Sequence, residues 1–124
     1  ENSMRRRALL GPWGEALACE YLRGRGCRIV ACNYRSRFGE IDVIAEDRKF
    51  LIFAEVKLRK SAEYGAAREF VDARKQERLR QTALLWLEGH ETRLQPRFDV
   101  IEIYGDADTP HRQRRINQIE NAFE

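Results

Sequence analysis

The chain has 124 residues, 43% of them hydrophobic and 35% charged, with a formal net charge of +3. That length suits one domain, here taken as residues 1–124, with a real core beneath a charged surface, and it excludes disorder for the bulk. Its longest apolar runs are the five residues Phe50–Ala54 and Ala83–Leu87, against roughly 20 for a membrane-spanning helix, so a cytoplasmic protein without a signal peptide or membrane contact is expected.

In chain order, Glu1–Arg7 reads as a flexible lead-in, with Met4 as the natural start. A helix is predicted over Pro12–Arg23, since Pro12 suits a first turn and Gly24 and Gly26 supply the stop. A strand follows over Cys27–Tyr34, a turn over Arg35–Gly39, a second strand over Glu40–Ala45 and a short polar hairpin over Glu46–Lys49. The third strand, Phe50–Leu58, opens with an apolar run that suits a central position covered on both faces. Arg59–Gly65 reads as a polar loop with a hinge at Gly65, and Ala67–Val71 as a short helical or irregular stretch. A second helix spans Ala73–Glu88, with Leu79, Ala83, Trp86 and Leu87 on one side and Gly89 ending it. Arg97–Tyr104 is a fourth strand, Asp106–Gln113 a loop, and Arg114–Ile119 an edge strand with a short tail; residues 105–124 are expected to be peripheral. The order α-β-β-β-α-β predicts an α/β fold, with a mixed central sheet and helices on both faces. Cys19, Cys27 and Cys32 form no CxxC pair and, with His90 and His111, no zinc pattern; they read as reduced thiols.

Several charges fall where a core is expected. Period two puts Leu51, Phe53, Glu55 and Lys57 on one face of the third strand. A carboxylate there needs a partner, because desolvating it alone costs several kcal/mol. Lys57 is one such partner, at the strand end where solvent begins. Asp42 stands in the second strand, which Asp disfavours, and in a meander it can lie beside Glu55. Two adjacent carboxylates repel unless a cation separates them, and Mg²⁺ accepts one or two carboxylates together with water and phosphate oxygens. Glu15 is one of only two charged residues between Ala8 and Leu22 and lies in the buried face of the first helix. It points either at that site or at an arginine such as Arg37.

Asp42, twelve intervening residues and then Glu55-Val56-Lys57, inside this element order, resemble the PD-(D/E)XK nuclease superfamily with its restriction-endonuclease-like fold. Gly39–Ala45, Phe53–Arg59, Gly14-Glu15-Ala16, Tyr21-Leu22, Asn33-Tyr34-Arg35, Lys75 and Arg97–Val100 resemble one branch of it, the UPF0102 (YraN) family, which is similar to archaeal Holliday-junction resolvases. The likeness covers about residues 11–104. It implies Asp42, Glu55 and the Val56 carbonyl as ligands of Mg²⁺, with Mn²⁺ able to substitute. It further implies Lys57 as the group that orients water and stabilises phosphate charge, and Glu15 as the helix acid. Ile41 replaces the superfamily's proline before the Asp.

The expected activity is therefore a Mg²⁺-dependent endonuclease acting on DNA, including branched or junction DNA, with a homodimer as the form a junction resolvase needs. Arg35, Arg37, Arg59 and Lys75 are candidate nucleic-acid contacts, and Arg5–Arg7 candidate backbone contacts. Residues 1–37 carry eight basic and three acidic groups, and 19 of the 23 basic residues are Arg, which fits phosphate binding and a GC-rich coding sequence equally. Two rival readings are a binding module that keeps the fold without cleavage, and an assembly protein whose acids are capped by arginines. Asp99 is expected to serve Arg97 rather than Lys57, and Glu40 to pair with an arginine.

Overall fold

Alternating apolar positions build a sheet whose two faces are each sealed by one helix. The computed structural model describes residues 2–59, 72–105 and 115–124, with side chains from Trp13 onward. The elements are α1 (Asn2–Gly24), β1 (Arg28–Ser36), β2 (Gly39–Glu46), β3 (Phe50–Arg59), α2 (Ala73–Gly89), β4 (Gln95–Tyr104) and β5 (Arg115–Phe123). The expected loop and helical stretch within residues 60–71, and the loop within 106–114, lie outside the described residues.

The five strands follow one another across the sheet in the order β1-β2-β3-β4-β5. β1, β2 and β3 form an antiparallel meander, β3 and β4 run parallel, and β5 is antiparallel to β4. The Asp47 carboxylate closes the β2–β3 turn by accepting the Lys49 and Phe50 N–H groups, both at 2.8 Å. On one face Ala18 and Leu22 of α1 pack on Val43, Ala45, Ile52, Ala54, Ile101 and Ile103. On the other, Leu79, Ala83 and Trp86 of α2 pack on Ile44, Leu51, Phe53 and Val100. Each large apolar side chain so buried contributes about 1.5–3 kcal/mol. β3 is central and apolar on both faces, as its sequence predicts.

Two elements differ from expectation. Residues 2–11, read as lead-in and approach, are helical, and Pro12 lies inside α1 rather than in its first turn. Met4–Leu10 is composed of good helix formers, which outweigh the single backbone donor that proline lacks. The C-terminal segment forms the expected edge strand, but a longer one. β5 runs on to Phe123, whose ring stacks on Phe98 with centroids 4.7 Å apart. Asn117, Gln118 and Asn121 interrupt its apolar pattern, and the sequence therefore shows only the first part of the strand, to Ile119.

Two local features place the site. A Cβ on Gly14 would lie 2.9 Å from Leu58 Cδ2, so this glycine lets α1 rest directly on the C-terminal half of β3 and brings Glu15 to the sheet. Asn33 has φ +53°, a left-handed conformation that Asn tolerates better than most residues. The outward alternation of the β1–β2 ribbon changes there. Cys32 touches Cys19 of α1, with the sulfurs 3.6 Å apart, whereas Tyr34 meets Trp86 of α2 edge-on at 5.2 Å. Their ladder partners behave alike: Val43 joins the α1-side core and Ile41 the α2-side core. Asp42 is the residue at the change.

Candidate active site

The β2–β3 ladder ends at the pair Val43–Ala54. One step further the register would set Asp42 against Glu55. There the Val56 N–H donates instead to Asp42 Oδ2 at 2.8 Å, so the Asp42 carboxylate takes the place of a backbone acceptor. Burial raises its pKa from 3.8 to about 6; the Val56 N–H opposes this, while the charges of Glu55, Glu40 and Glu15 add to it. The Glu55 charge thus bears on Asp42, in line with the register that sets the two acids near each other.

Glu55 is buried at 8% exposure, and its Oε2 has no hydrogen-bond partner among the described residues. Its Oε1 carries two ammonium groups. Lys57 Nζ lies 3.4 Å away, the same-face pairing weighed from the sequence, and Lys75 reaches across from α2 to the same oxygen. Burial works against the Lys75 ammonium, but the hydrogen bond and charge of Glu55 outweigh it, so its pKa is raised. Lys75 is thus part of the acid cluster as well as a candidate phosphate contact.

Glu15 does not complete a three-acid ligand set. Among the described residues no three His, Cys, Asp or Glu side chains stand close enough together to hold one metal ion. The reason is topological: α1 covers one face, and Glu55 projects toward the α2 side with Leu51 and Phe53. Glu15 instead receives a hydrogen bond from the Asn33 side chain, and burial and the Glu40 charge raise its pKa against the opposing pull of Asn33 and Arg35. Its Oε1 is buried without a partner among the described residues. Glu15 acts on Asp42 through charge, not as a neighbouring ligand. Neither Glu15, Asp42 nor Glu55 is ion-paired to an arginine among the described residues, which is what the assembly reading required.

The flanking cations divide into committed and uncommitted ones. Arg35 pairs with Glu40 at 3.2 Å, as expected for Glu40, and remains largely exposed. Arg37 lies over the Phe38 ring at 4.8 Å rather than on Glu15. Arg59 is drawn inward to Glu102 at 3.3 Å, so it is held by protein more than it is offered to a ligand. An open cleft of about 310 Å³ beside Lys75 is lined by Gly39, Glu40, Arg74, Arg78 and Leu79 among others. Its cations come from the first turns of α2, which hold no acid in the first turn.

Two participants escape sequence reasoning. Glu102 is 1% exposed and lies opposite Lys57 in the β3–β4 register. It accepts from Arg59, from Asn117 at 3.0 Å and from Tyr104 at 3.3 Å. An acid in mid-strand was its signal, as it was for Asp42. The Lys75–Glu55 contact also had a signal: helix dipoles disfavour cations in a first turn, yet Arg74 and Lys75 both stand there.

A fold and site of this kind have relatives. The model of the uncharacterised protein family UPF0102 matches residues 14–103, from the residue before Glu15 to the end of β4. A UPF0102 protein of Pelotomaculum thermopropionicum is 42% identical over 94% of this chain and 97% of its own length. Another, of Alkaliphilus oremlandii, is 40% identical over 92% and 97%. A third, of Syntrophotalea carbinolica, is 44% identical over 78% and 80%. With a matching family model across the elements that carry the site, and relatives aligned over four fifths or more of their length, the chain belongs to the UPF0102 family.

Proposed function

We propose that the protein is a metal-dependent endonuclease that hydrolyses phosphodiester bonds in DNA, with Mg²⁺ as its ion and Mn²⁺ as a substitute. The observation that carries this reading is the pair Asp42 and Glu55 at the end of the β2–β3 ladder. One carboxyl is pushed to about pKa 6 and the other keeps a buried oxygen with no partner among the described residues. A hydrated Mg²⁺ needs only one or two carboxylates, so a site with two acids among the described residues suits it. Asp42, Glu55 Oε2 and the Val56 carbonyl are the groups that would hold the ion, which supplies Lewis-acid charge at the phosphate.

The remaining work falls to side chains. Glu55 anchors the Lys57 side chain at the strand end, where it can orient a water and offset charge on the scissile phosphate. The negative charges of Glu15 and Glu40 raise the affinity of Asp42 for a positive charge. Lys75, Arg74, Arg78, Arg35 and Arg37 offer the sugar–phosphate backbone positive charge without reading its sequence. Branched DNA, and a dimer to cut it twice, belong to the same proposal.

The test is a cleavage panel over linear, flap and four-way DNA with Mg²⁺ or Mn²⁺ at stated salt. Glu55→Ala should remove cleavage, a loss of at least about a hundredfold, while its circular dichroism matches wild type. Cleavage by E55A at the wild-type rate would overturn the assignment. The two lysines already on Glu55 favour one alternative, a DNA-binding module without hydrolysis. That reading expects DNA binding with no metal-dependent product on any substrate.

A further inference from the structure

Glu55 Oε1 bears two ammonium groups, Lys57 and Lys75, where one would balance its charge. With Asp42 ionised, the four groups Asp42, Glu55, Lys57 and Lys75 carry two negative and two positive charges and are neutral among themselves; nearby, Glu40 is offset by Arg35, and Glu15 adds one negative charge. A divalent cation added to the four would leave them a surplus of two, confined within a few ångströms and partly out of water, where like charges interact strongly. One lysine therefore has to move away.

The structure identifies which. Lys57 is 29% exposed and fixed to the central strand, whose backbone is laddered to β4 at that very position. Lys75 is 44% exposed, on a flexible stem, and borders the open cleft. Its own backbone is secured, because the Asp72 carboxylate caps α2 by accepting the Lys75 N–H at 2.9 Å. Only the side chain is thus able to swing. Helix stability does not explain a lysine at this point, since the dipole favours acids in a first turn. Arg78, one turn along, and Arg74 flank the cleft into which Lys75 would turn, so a displaced ammonium meets the same phosphodiester that those arginines suit.

We propose that Lys75 is an exchangeable counter-ion: it occupies Glu55 until a divalent cation displaces it, and then serves as a phosphate contact. The site would thereby couple metal entry to the positioning of a cation for the nucleic-acid backbone, and metal affinity would be held down until substrate is present. This inference rests on the reading of Asp42 and Glu55 as metal ligands.

The experiment measures Mn²⁺ binding to the full chain without nucleic acid, by electron paramagnetic resonance of free Mn²⁺ and by calorimetry at pH 7.5. Lys75→Gln should bind Mn²⁺ roughly tenfold tighter or more than wild type, because it removes one charge beside the ion. Arg74→Gln makes the same change in net charge one residue away without touching Glu55, and should bind like wild type. Lys75→Arg keeps the charge and should show no gain. Equal affinity in K75Q and wild type, with both binding, would overturn the counter-ion role and leave the metal site standing. An equal gain in R74Q would also overturn it, as a general charge effect. Absence of Mn²⁺ binding in wild type and K75Q alike, or Mn²⁺ binding that survives Glu55→Gln unchanged, would overturn the metal reading itself and the inference with it.

Discussion

Asp99 and Glu55 lie on adjacent strands of one sheet, are 1% and 8% exposed, and are provided for in opposite ways. Both oxygens of Asp99 are doubly satisfied. Arg97 grips them with two parallel bonds of 2.9 Å, Gln118 adds one of 2.8 Å, and the Asn121 N–H adds one of 3.0 Å. Among the described residues, Glu55 has two cations crowded on one oxygen and none on the other. A buried acid with every lone pair matched is a structural part. One left half-matched beside a second acid costs stability, which the proposed metal would offset. The larger cavity near Asp99, about 690 Å³ and bordered by Phe50, Arg97, Phe98 and Phe123, follows the first pattern: its arginine is already committed to Asp99 and lies over the Phe50 ring at 4.4 Å.

The sharpest way to break this comparison is to remove each acid in turn. Asp99→Ala leaves the Arg97 guanidinium, itself 10% exposed, without its two short bonds and with only the longer contact to Glu120 at 3.9 Å. It should cost about 3–5 kcal/mol, as broken buried pairs do. Glu55→Gln keeps the shape, removes a poorly matched charge, and frees two lysines that can turn to water. Its stability should stay within about 1 kcal/mol of wild type. Urea denaturation of both variants decides the matter. If E55Q unfolds as readily as D99A, Glu55 is a structural acid and the contrast disappears.

A smaller effect separates the two ends by pH. The Asp42 pKa is raised from 3.8 to about 6, so between those values the folded chain holds a proton that the unfolded chain has lost. Stability from this group is full below about pH 4, falls as pH rises toward 6, and is level above it. The whole change amounts to roughly 3 kcal/mol at most. Asp42→Asn should abolish this slope and match or exceed wild-type stability at pH 7.5. Urea midpoints at intervals from pH 4 to 8, compared between D42N and wild type, test it; parallel curves for the two proteins would refute the assignment of the slope to Asp42.

Much of this was legible because strands advertise misplaced charge. Glu55 and Lys57 share a face by the pleat alone, and the short β2–β3 hairpin sets the register that brings Asp42 toward Glu55. The third strand's centrality followed from its unbroken apolar stretch. What stayed hidden depended on contacts between elements. Lys75 reaches Glu55 only because α2 crosses the β3 face, and no periodicity within α2 reveals the length or direction of that reach. Glu15 was correctly placed on a buried stripe, yet which face of the sheet its helix covers decides whether it meets Glu55, and topology rather than pattern fixes that. β5 was underestimated because Gln118 and Asn121, the residues that spoil its apolar alternation, are the donors that Asp99 requires.

The smallest predicted effect concerns the residue that turns the β1–β2 ribbon. Asn33 holds φ +53°, a region that costs a residue with an ordinary Cβ about 1–2 kcal/mol and glycine almost nothing. Its side chain also donates to Glu15. Asn33→Gly removes the amide but keeps the turn, whereas Asn33→Ala removes the amide and strains the turn. N33A should therefore be less stable than N33G by about 1 kcal/mol. The loss of the hydrogen bond to Glu15 is common to both variants and cancels in the comparison. Paired denaturation curves measure the difference. If the two variants unfold together, the change of face at Asp42 does not depend on a left-handed residue opposite it, and the placement of the acid pair must come from the β2–β3 side alone.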